Sequence, residues 1–150
     1  NEGSPVESML IEFCKNDSIS SSEVICLFHV TSPFINLKTI EQASKYLNDG
    51  YDSVQSVKRI QDFVFKMEDE KMIPVNYDPF KVQRTQDILP VYMSLGAFFI
   101  STKQKILEEG KRLPGKVFNY ELDSVSSIEI DYPDDLQLAR YVASNMVEYD

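Results

Sequence analysis

Two carboxylates near the carboxyl end of the chain have the types and the spacing of a cation site. Glu129 and Asp131 are separated by one residue, and side chains at positions i and i+2 of an extended segment point to the same side. They could offer oxygen ligands to one Mg²⁺ ion, which proteins often hold through one or two carboxylates and the phosphates of a substrate. The alternative is structural, with Asp131 capping a helix that begins at Pro133 and Glu129 facing solvent. Spacing alone favours this structural alternative.

A second candidate is the turn formed by residues 29–33, which follows the apolar run at residues 24–28. A short apolar run with β-branched residues is typical of a strand that is buried on both faces in a parallel sheet. Ligands of open α/β sheets bind at the carboxyl edge, so Thr31 and Ser32 are candidate ligand contacts. An equally supported alternative is that these hydroxyls hydrogen-bond the turn itself. His29, the only histidine, has no Cys/His or Ser/His/Asp partners nearby in the sequence.

A third candidate is Arg84, which lies in a polar loop at residues 83–87. A guanidinium group can bind a carboxylate or a phosphate through two parallel hydrogen bonds. Most single arginines have no such role, and the acidic run at residues 68–70 is most simply the solvated tip of a hairpin.

Helices and strands alternate around these residues. Apolar spacing predicts helices over residues 6–14 and 37–47, with Asn36 as the N-cap and Gly50 at the end of the second. Further helices are predicted at residues 103–109, ending at Gly110, and from Pro133 onward. Strands are predicted at residues 24–28, 52–57, 95–100, 117–122 and 127–131. This order predicts an α/β domain whose sheet is at least partly parallel.

The middle of the chain breaks the alternation. The apolar stretches at residues 63–67 and 72–75 flank a charged loop and predict a β-hairpin that projects from the sheet. The sequence therefore predicts one domain over residues 1–150, with a hairpin insertion at about residues 60–90.

Composition excludes several classes of protein. The 150 residues carry a formal charge of −9, which argues against broad electrostatic binding of DNA or RNA. No apolar run reaches the roughly 18–20 residues that a transmembrane helix needs, and no basic, then apolar leader is visible. Cys14 and Cys26 lack the spacing of a zinc site or a disulfide scaffold. We expect a soluble, cytoplasmic protein.

Three segments, taken together, resemble a known family, the CMP-sialic acid synthetases or acylneuraminate cytidylyltransferases. Residues 27–34 (LFHVTSPF) are similar to the family's strand-turn motif LLQPTSPLR. Residues 84–100 resemble its R-x-Q-x-LP segment and its NGAIYI strand, and residues 127–136 (SIEIDYPDDL) resemble its closing motif DIDTPEDL. The order and the spacing agree from about Gly3 to the end of the chain.

The resemblance implies a Rossmann-like nucleotidyltransferase sheet with a projecting β-hairpin dimerisation element, so a homodimer is expected. Members of this family join CTP to an acidic nine-carbon sugar, forming the CMP-sugar and pyrophosphate. The partners implied are therefore CTP and an acidic sugar, without nucleic acid or membrane, and the cofactor implied is Mg²⁺.

The resemblance also implies roles for individual residues. Glu129 and Asp131 correspond to the catalytic metal carboxylates. Arg84 corresponds to a contact with the acidic sugar, offered across the dimer. The other substrate contacts implied are Ser4 near the cytidine, His29, Thr31 and Ser32 in the turn, and Tyr92 and Phe99 in the wall of the sugar pocket.

Several positions depart from the family pattern. Glu129 replaces an aspartate, His29 replaces the glutamine of the turn, and Leu95 replaces the asparagine of NGAIYI. The family's first strand and its Gly-rich loop with Arg and Lys have no counterpart in these 150 residues, so we expect the chain alone to be inactive. The alternatives are a non-catalytic sugar- or nucleotide-binding homologue or a dimeric assembly module. A nearer one is the related enzyme acting on the eight-carbon sugar Kdo.

Overall fold

The computed structural model describes residues 5–146, and at its centre is a four-stranded sheet with the strand order β1-β5-β2-β6. These strands are β1 (Val24–Phe28), β2 (Ser53–Ile60), β5 (Val91–Thr102) and β6 (Val117–Glu121). β2 and β6 are parallel, whereas β5 is antiparallel to both β1 and β2. The carboxyl ends of β1, β2 and β6 therefore lie at one edge of the sheet, and the predicted α/β class with a partly parallel sheet is confirmed.

The setting of β1 differs from the prediction. It is the edge strand of the described sheet, it pairs only with the antiparallel β5, and Val24 and Phe28 are 51% and 55% exposed. The prediction of a strand buried on both faces beside a parallel neighbour is therefore wrong for residues 5–146. An apolar, β-branched run shows that a strand is favourable, but it encodes neither the direction nor the number of its partners.

Helices cover both faces of the sheet. On one face, α1 (Pro5–Cys14) and α3 (Lys103–Glu109) bury a cluster of Leu10, Cys14 and Ile106 against Ile25 and Leu27 of β1. On the other face, Ala43 of α2 (Leu37–Ser44) belongs to the main core together with Val54, Phe98 and Ile100. Neighbouring strand residues point to opposite faces, so the two clusters lie on opposite sides of the sheet.

The predicted helix ends are confirmed by their local geometry. The backbone N–H of Thr39 donates a 2.9 Å hydrogen bond to Oδ1 of Asn36, the N-cap of α2. The helix continues as a 3₁₀ turn at Lys45–Asp49 and ends at Gly50, whose φ of +83° lies in the left-handed region.

The predicted hairpin is a separate two-stranded sheet of β3 (Phe65–Glu68) and β4 (Lys71–Pro74). Its two turn residues, Asp69 and Glu70, both have positive φ values of 48° and 62°, as a tight primed turn between antiparallel strands requires. Asn76 holds the base, because its amide donates to the carbonyls of Asp62 and Leu89, each at 2.9 Å.

Residues 127–131 are not a strand, so that prediction is wrong. Residues 124–127 form a turn in which the carboxylate of Asp123 accepts hydrogen bonds from the backbone N–H groups of Val125 and Ser126, each at 2.8 Å. This turn directs the chain away from β6. Residues 127–131 therefore have no neighbouring strand among the described residues with which to form backbone hydrogen bonds, despite their alternating side chains. The following helix α4 (Pro133–Asn145) begins where it was predicted. No helix within residues 5–146 is long and apolar enough to cross a membrane.

Candidate functional site

The structure brings two of the three candidate segments together at the carboxyl edge of the sheet. The turn after β1 lies against the segment that precedes α4, and the backbone N–H of Ile130 donates a 2.9 Å hydrogen bond to the carbonyl of Thr31. The hydroxyl of Ser32 donates to Oε1 of Glu129 at 3.4 Å, and Ser32 is only 3% exposed. Residues that are 97 positions apart in the chain therefore share one site.

The sequence left open whether Ser32, Glu129 and Asp131 form a ligand site or have only local structural roles, and these contacts distinguish the two. Ser32 does use its hydroxyl across the site rather than only within its own turn, and Glu129 is half-buried instead of facing solvent. Asp131 does not cap α4, because the N-cap is Tyr132. The carboxylate of Asp135 instead accepts from the backbone N–H groups of Asp131 and Tyr132, at 3.1 and 2.8 Å. The structural alternative is therefore wrong for both carboxylates.

Glu129 and Asp131 form a like-charged pair. Burial raises the pKa of the Glu129 carboxyl, and the charge of Asp131 raises it further, while Ser32 and His29 oppose this shift. Among residues 5–146 neither carboxylate has an ion-pair partner of its own. Two adjacent carboxylates without a protein cation are a donor set that a bound divalent ion would stabilise. No group of three or more His, Cys, Asp or Glu side chains suited to a metal occurs in the same range.

His29 forms the floor of the site. Its ring lies 6.1 Å from that of Phe99, tilted by 60°, and close to Gly96, where a Cβ atom would meet the imidazole at 3.9 Å. The Nε2 atom of His29 is inaccessible to solvent and has no hydrogen-bond partner among the described residues. A buried polar nitrogen without a partner is costly, so a ligand or water that pairs with it would be favoured here.

The remaining predicted residues lie elsewhere. Arg84 is exposed and binds Asp87 of its own loop through two hydrogen bonds of 2.7 and 3.0 Å, and no described hydrogen bond or ion pair joins it to Glu129 or His29. Tyr92 lies near the start of β5, opposite Arg59 on β2, and is about half exposed. Ser4 lies outside the described residues.

Arg112 is a residue that reasoning from the sequence missed. It lies in the loop between α3 and β6, and its Cζ atom is 4.4 Å from the centroid of the Phe99 ring. Phe99 is thus covered by Arg112 and His29, which explains its 4% exposure. No motif marks a single arginine in a loop, so only the folding of α3 back onto β5 brings it here.

A large cleft lies away from this site. It has a volume of about 570 Å³ and lies at the base of the hairpin, where Tyr77, Lys81, Gln83 and Asp87 line it. Smaller concavities flank the acidic segment, including one of about 260 Å³ between residues 33–36 and the turn at Val125 and Ser126. The site is therefore defined by its convergent polar groups and not by the size of a cavity.

No family model matches the sequence. Among curated proteins, the chain is similar to the N-acylneuraminate cytidylyltransferase of Streptococcus agalactiae serotype V, with 28% identity over 113 residues, which is 73% of this chain and 27% of that protein. The corresponding protein of serotype III is 27% identical over the same share. The chain thus spans about a quarter of the length of the curated relatives it matches.

Among solved structures, the chain is similar to 4-diphosphocytidyl-2C-methyl-D-erythritol synthase from Anaerococcus prevotii, with a TM-score of 0.67 and 15% identity over 95% of this chain and 68% of that one. The 2-C-methyl-D-erythritol 4-phosphate cytidylyltransferase of Francisella tularensis has a TM-score of 0.67 and 10% identity, over 94% and 69%. At these identities the likeness defines the fold. The chain has a Rossmann-like α/β fold similar to that of these two solved cytidylyltransferases, and its sequence is similar to that of the N-acylneuraminate cytidylyltransferases.

Proposed function

We propose that the protein is a cytidylyltransferase that transfers CMP from CTP to an acidic nine-carbon sugar of the sialic acid type. The observation that supports this function best is the meeting of the turn after β1 with the acidic segment before α4, through Ser32 and Glu129. Both segments carry motifs that resemble those of the acylneuraminate cytidylyltransferases. The similarity to proteins of that name in Streptococcus agalactiae supports the same substrate class.

The proposed reaction is an in-line displacement at the α-phosphate of CTP. The anomeric hydroxyl oxygen of the sugar forms a bond to the α-phosphorus, while the bond from that phosphorus to the oxygen bridging to the β-phosphate breaks. Pyrophosphate leaves with the electron pair of that bond, and the hydroxyl proton is released to solvent. In such a reaction the protein mainly positions the two reactants and stabilises the charge that develops.

Glu129 and Asp131 would hold Mg²⁺ in this reaction. The pair fits the ion, because Mg²⁺ is often bound through one or two carboxylates together with substrate phosphates. The bound ion supplies charge neutralisation at the phosphates of CTP. Ser32 orients the carboxylate of Glu129, and Thr31 fixes the backbone between the two carboxylates. The net charge of −9 does not oppose CTP binding, since groups at the site act at much shorter range.

His29 and Arg112, which cover the ring of Phe99, would form the wall against which the sugar lies, and Tyr92 would extend that wall toward the hairpin. Leu95 belongs to the buried core cluster, so the amide that the family has at this position has no equivalent here. Arg84 lies next to the hairpin and away from Glu129, which leaves its proposed contact with the sugar to the second subunit of a dimer.

A rival function is a non-catalytic homologue that binds a sugar or nucleotide, or an assembly module that acts through its hairpin. The exposed side chains Met67 and Met72 on the hairpin favour an assembly role. A binding homologue would bind CTP in the presence of Mg²⁺ without releasing pyrophosphate, whereas an assembly module would bind no CTP.

Pyrophosphate release from CTP tests the proposed function. The protein is incubated with CTP, Mg²⁺ and a panel of acidic sugars that includes N-acetylneuraminate and Kdo, with neutral N-acetylmannosamine as a control. Release that depends on a nine-carbon acid supports the proposal, whereas release with Kdo alone reassigns the sugar. No release with any sugar, in a protein that includes the natural sequence around this chain, would contradict the enzyme.

Two variants test the carboxylates. Glu129→Gln and Asp131→Asn are expected to lower kcat by at least about 100-fold, because each removes a charged ligand of the ion. The matched control is Asp134→Asn, an exposed carboxylate in the first turn of α4, which should retain activity within about 2-fold. Equal losses in all three variants would show that the effect is general and not due to a metal site.

A further inference from the structure

Arg112 is unlike the other three arginines of the chain. Arg59, Arg84 and Arg140 are exposed, whereas Arg112 is half-buried. Arg59 contacts Gln61 and Arg84 binds Asp87. Within residues 5–146 Arg112 has neither an ion pair nor a side-chain hydrogen bond, although the adjacent Lys111 binds Glu109 at 2.8 Å. Arg112 is a partly buried residue whose guanidinium has no acceptor among the described residues, so its N–H donors are free for a ligand.

The ring of Phe99 sets the orientation of this guanidinium. The Cζ atom lies 4.4 Å from the ring centroid, a cation–π contact that uses none of the N–H donors, so these donors can still bind a planar acceptor. A carboxylate fits these donors through two parallel hydrogen bonds. The ring of His29 lies 6.1 Å from that of Phe99, and His29 begins the turn whose Ser32 contacts Glu129, so Arg112 lies on the side of the sheet that leads to this site.

Neutral polar groups continue this surface across the sheet. Gln55 is the Cα partner of Phe99 on β5 and of Asn119 on β6, and paired residues in neighbouring strands present their side chains on the same face. The amide of Gln55 donates to Oδ1 of Asn119 at 2.7 Å, and Ser94 donates to Oε1 of Gln55 at 3.1 Å. Amides and hydroxyls beside a cation suit a ligand that has both hydroxyl groups and one negative charge.

We propose that Arg112 binds the carboxylate of the acidic sugar and thereby determines the specificity for an acid. This inference rests on the proposed function, and it assigns the carboxylate to a residue other than Arg84, whose guanidinium already binds Asp87. The two carboxylates at the other end of the site would repel an acid. Arg112 therefore also determines which end of the sugar faces Glu129 and Asp131.

The test measures KM for N-acetylneuraminate and KM for CTP in the variants Arg112→Ala and Arg112→Lys. Loss of a charge-assisted, bidentate contact is expected to raise KM for N-acetylneuraminate by about 10- to 100-fold in Arg112→Ala and by less in Arg112→Lys, which keeps the charge. The KM for CTP should remain unchanged. Arg140→Ala, which removes an exposed arginine from α4, is the matched control and should change neither constant.

The methyl ester of N-acetylneuraminate separates a charge contact from simple packing. The original protein should prefer the free acid to the ester by about the factor that Arg112→Ala loses, and the variant should not distinguish the two ligands. An unchanged KM for the sugar in Arg112→Ala overturns the proposal. An increase confined to the KM for CTP would assign Arg112 to the phosphates, and equal changes for acid and ester would make it a packing residue; both also overturn it.

Direct binding distinguishes failure of this inference from failure of the proposed function. If the original protein releases no pyrophosphate, binding of N-acetylneuraminate is measured by saturation-transfer NMR. Binding that Arg112→Ala abolishes and Arg140→Ala retains would support Arg112 even though the transferase had failed. No binding of the acid by the original protein would overturn both.

Discussion

At the residue scale, Glu129 has the most informative environment in the molecule. It is one methylene longer than the aspartate found in the similar family, and its carboxylate reaches the hydroxyl of Ser32, which the turn after β1 buries. Burial and the neighbouring Asp131 both disfavour its charge. A carboxylate whose charged form is disfavoured by the fold is common in functional sites, because a bound ligand can stabilise the charge that the protein itself does not.

The shift of Glu129 predicts how stability depends on pH. Its folded pKa is raised above the ordinary 4.5, so the charged form destabilises the fold at pH values above that folded pKa. Without a divalent ion, Glu129→Gln should therefore increase the free energy of unfolding at pH 7, by less than about 1 kcal/mol because the group is partly exposed. Below the unfolded pKa the carboxyl is neutral in both states, and the difference should vanish.

Urea denaturation in EDTA at pH 7 and pH 4 measures this difference. Glu121→Gln, which changes an exposed glutamate at the end of β6, is the control and should have little effect at either pH. Added Mg²⁺ should stabilise the original protein but not Glu129→Gln. A variant that is less stable than the original protein in EDTA at pH 7 would show that Glu129 has a favourable partner in the fold.

At the scale of the elements, the hairpin β3–β4 has exposed apolar side chains that a second protein surface could cover. Met67 and Met72 are Cα partners on neighbouring strands and are 66% and 59% exposed. The base of the hairpin is ordered by Asn76 and by the packing of Phe63 and Phe65 around Tyr77. A firmly anchored hairpin with an apolar outer surface is suited to a symmetric contact between two copies of the chain.

We therefore expect a homodimer that depends on this hairpin. Met67→Glu and Met72→Glu would each place a carboxylate in the contact and weaken the dimer by about 10-fold or more, as measured by sedimentation velocity. Leu138→Glu, at a comparably exposed apolar position on α4, should leave the dimer intact. A monomeric original protein, or variants that dimerise normally, would contradict this assignment of the hairpin.

At the scale of the whole molecule, β1 is an edge strand of the sheet that residues 5–146 form. Beside this edge an apolar groove of about 270 Å³ lies between α1 and β1, and Met9, Phe13 and Ile25 are among the residues that line it. The solved structure from Anaerococcus prevotii is matched over 68% of its length. A strand with one free edge, next to exposed apolar side chains, is favourable for a further strand to pair with.

This arrangement predicts that the 150 residues alone do not turn over CTP, because they contain no Gly-rich loop with Arg and Lys to bind the phosphates. Pyrophosphate release should be undetectable for this chain and measurable when a Gly-rich loop with Arg and Lys is supplied at its N-terminus. Circular dichroism of both proteins controls for folding. Equal activity of the two would contradict the prediction and would show that the site is complete within these residues.

Features that depend on near neighbours in the chain were predictable from the amino-acid sequence. Asn36 marks the start of α2 through a local hydrogen bond and Gly110 marks the end of α3 through a left-handed backbone, so these two helix ends were predictable. Period-two and apolar patterns likewise predicted β1, β2, β5 and β6, and the two apolar stretches with a charged loop predicted the hairpin. The α/β class follows from that order of elements.

Features that depend on contacts between distant segments became known from the folded structure. The edge position of β1, the loss of strand structure at residues 127–131 and the pairing of Ser32 with Glu129 all depend on which segments become neighbours. The stacking of Arg112 on Phe99 is of the same kind, since it requires the loop after α3 to return over β5. A local pattern specifies the conformation of a segment, whereas its partners are selected by the free energy of packing the whole chain.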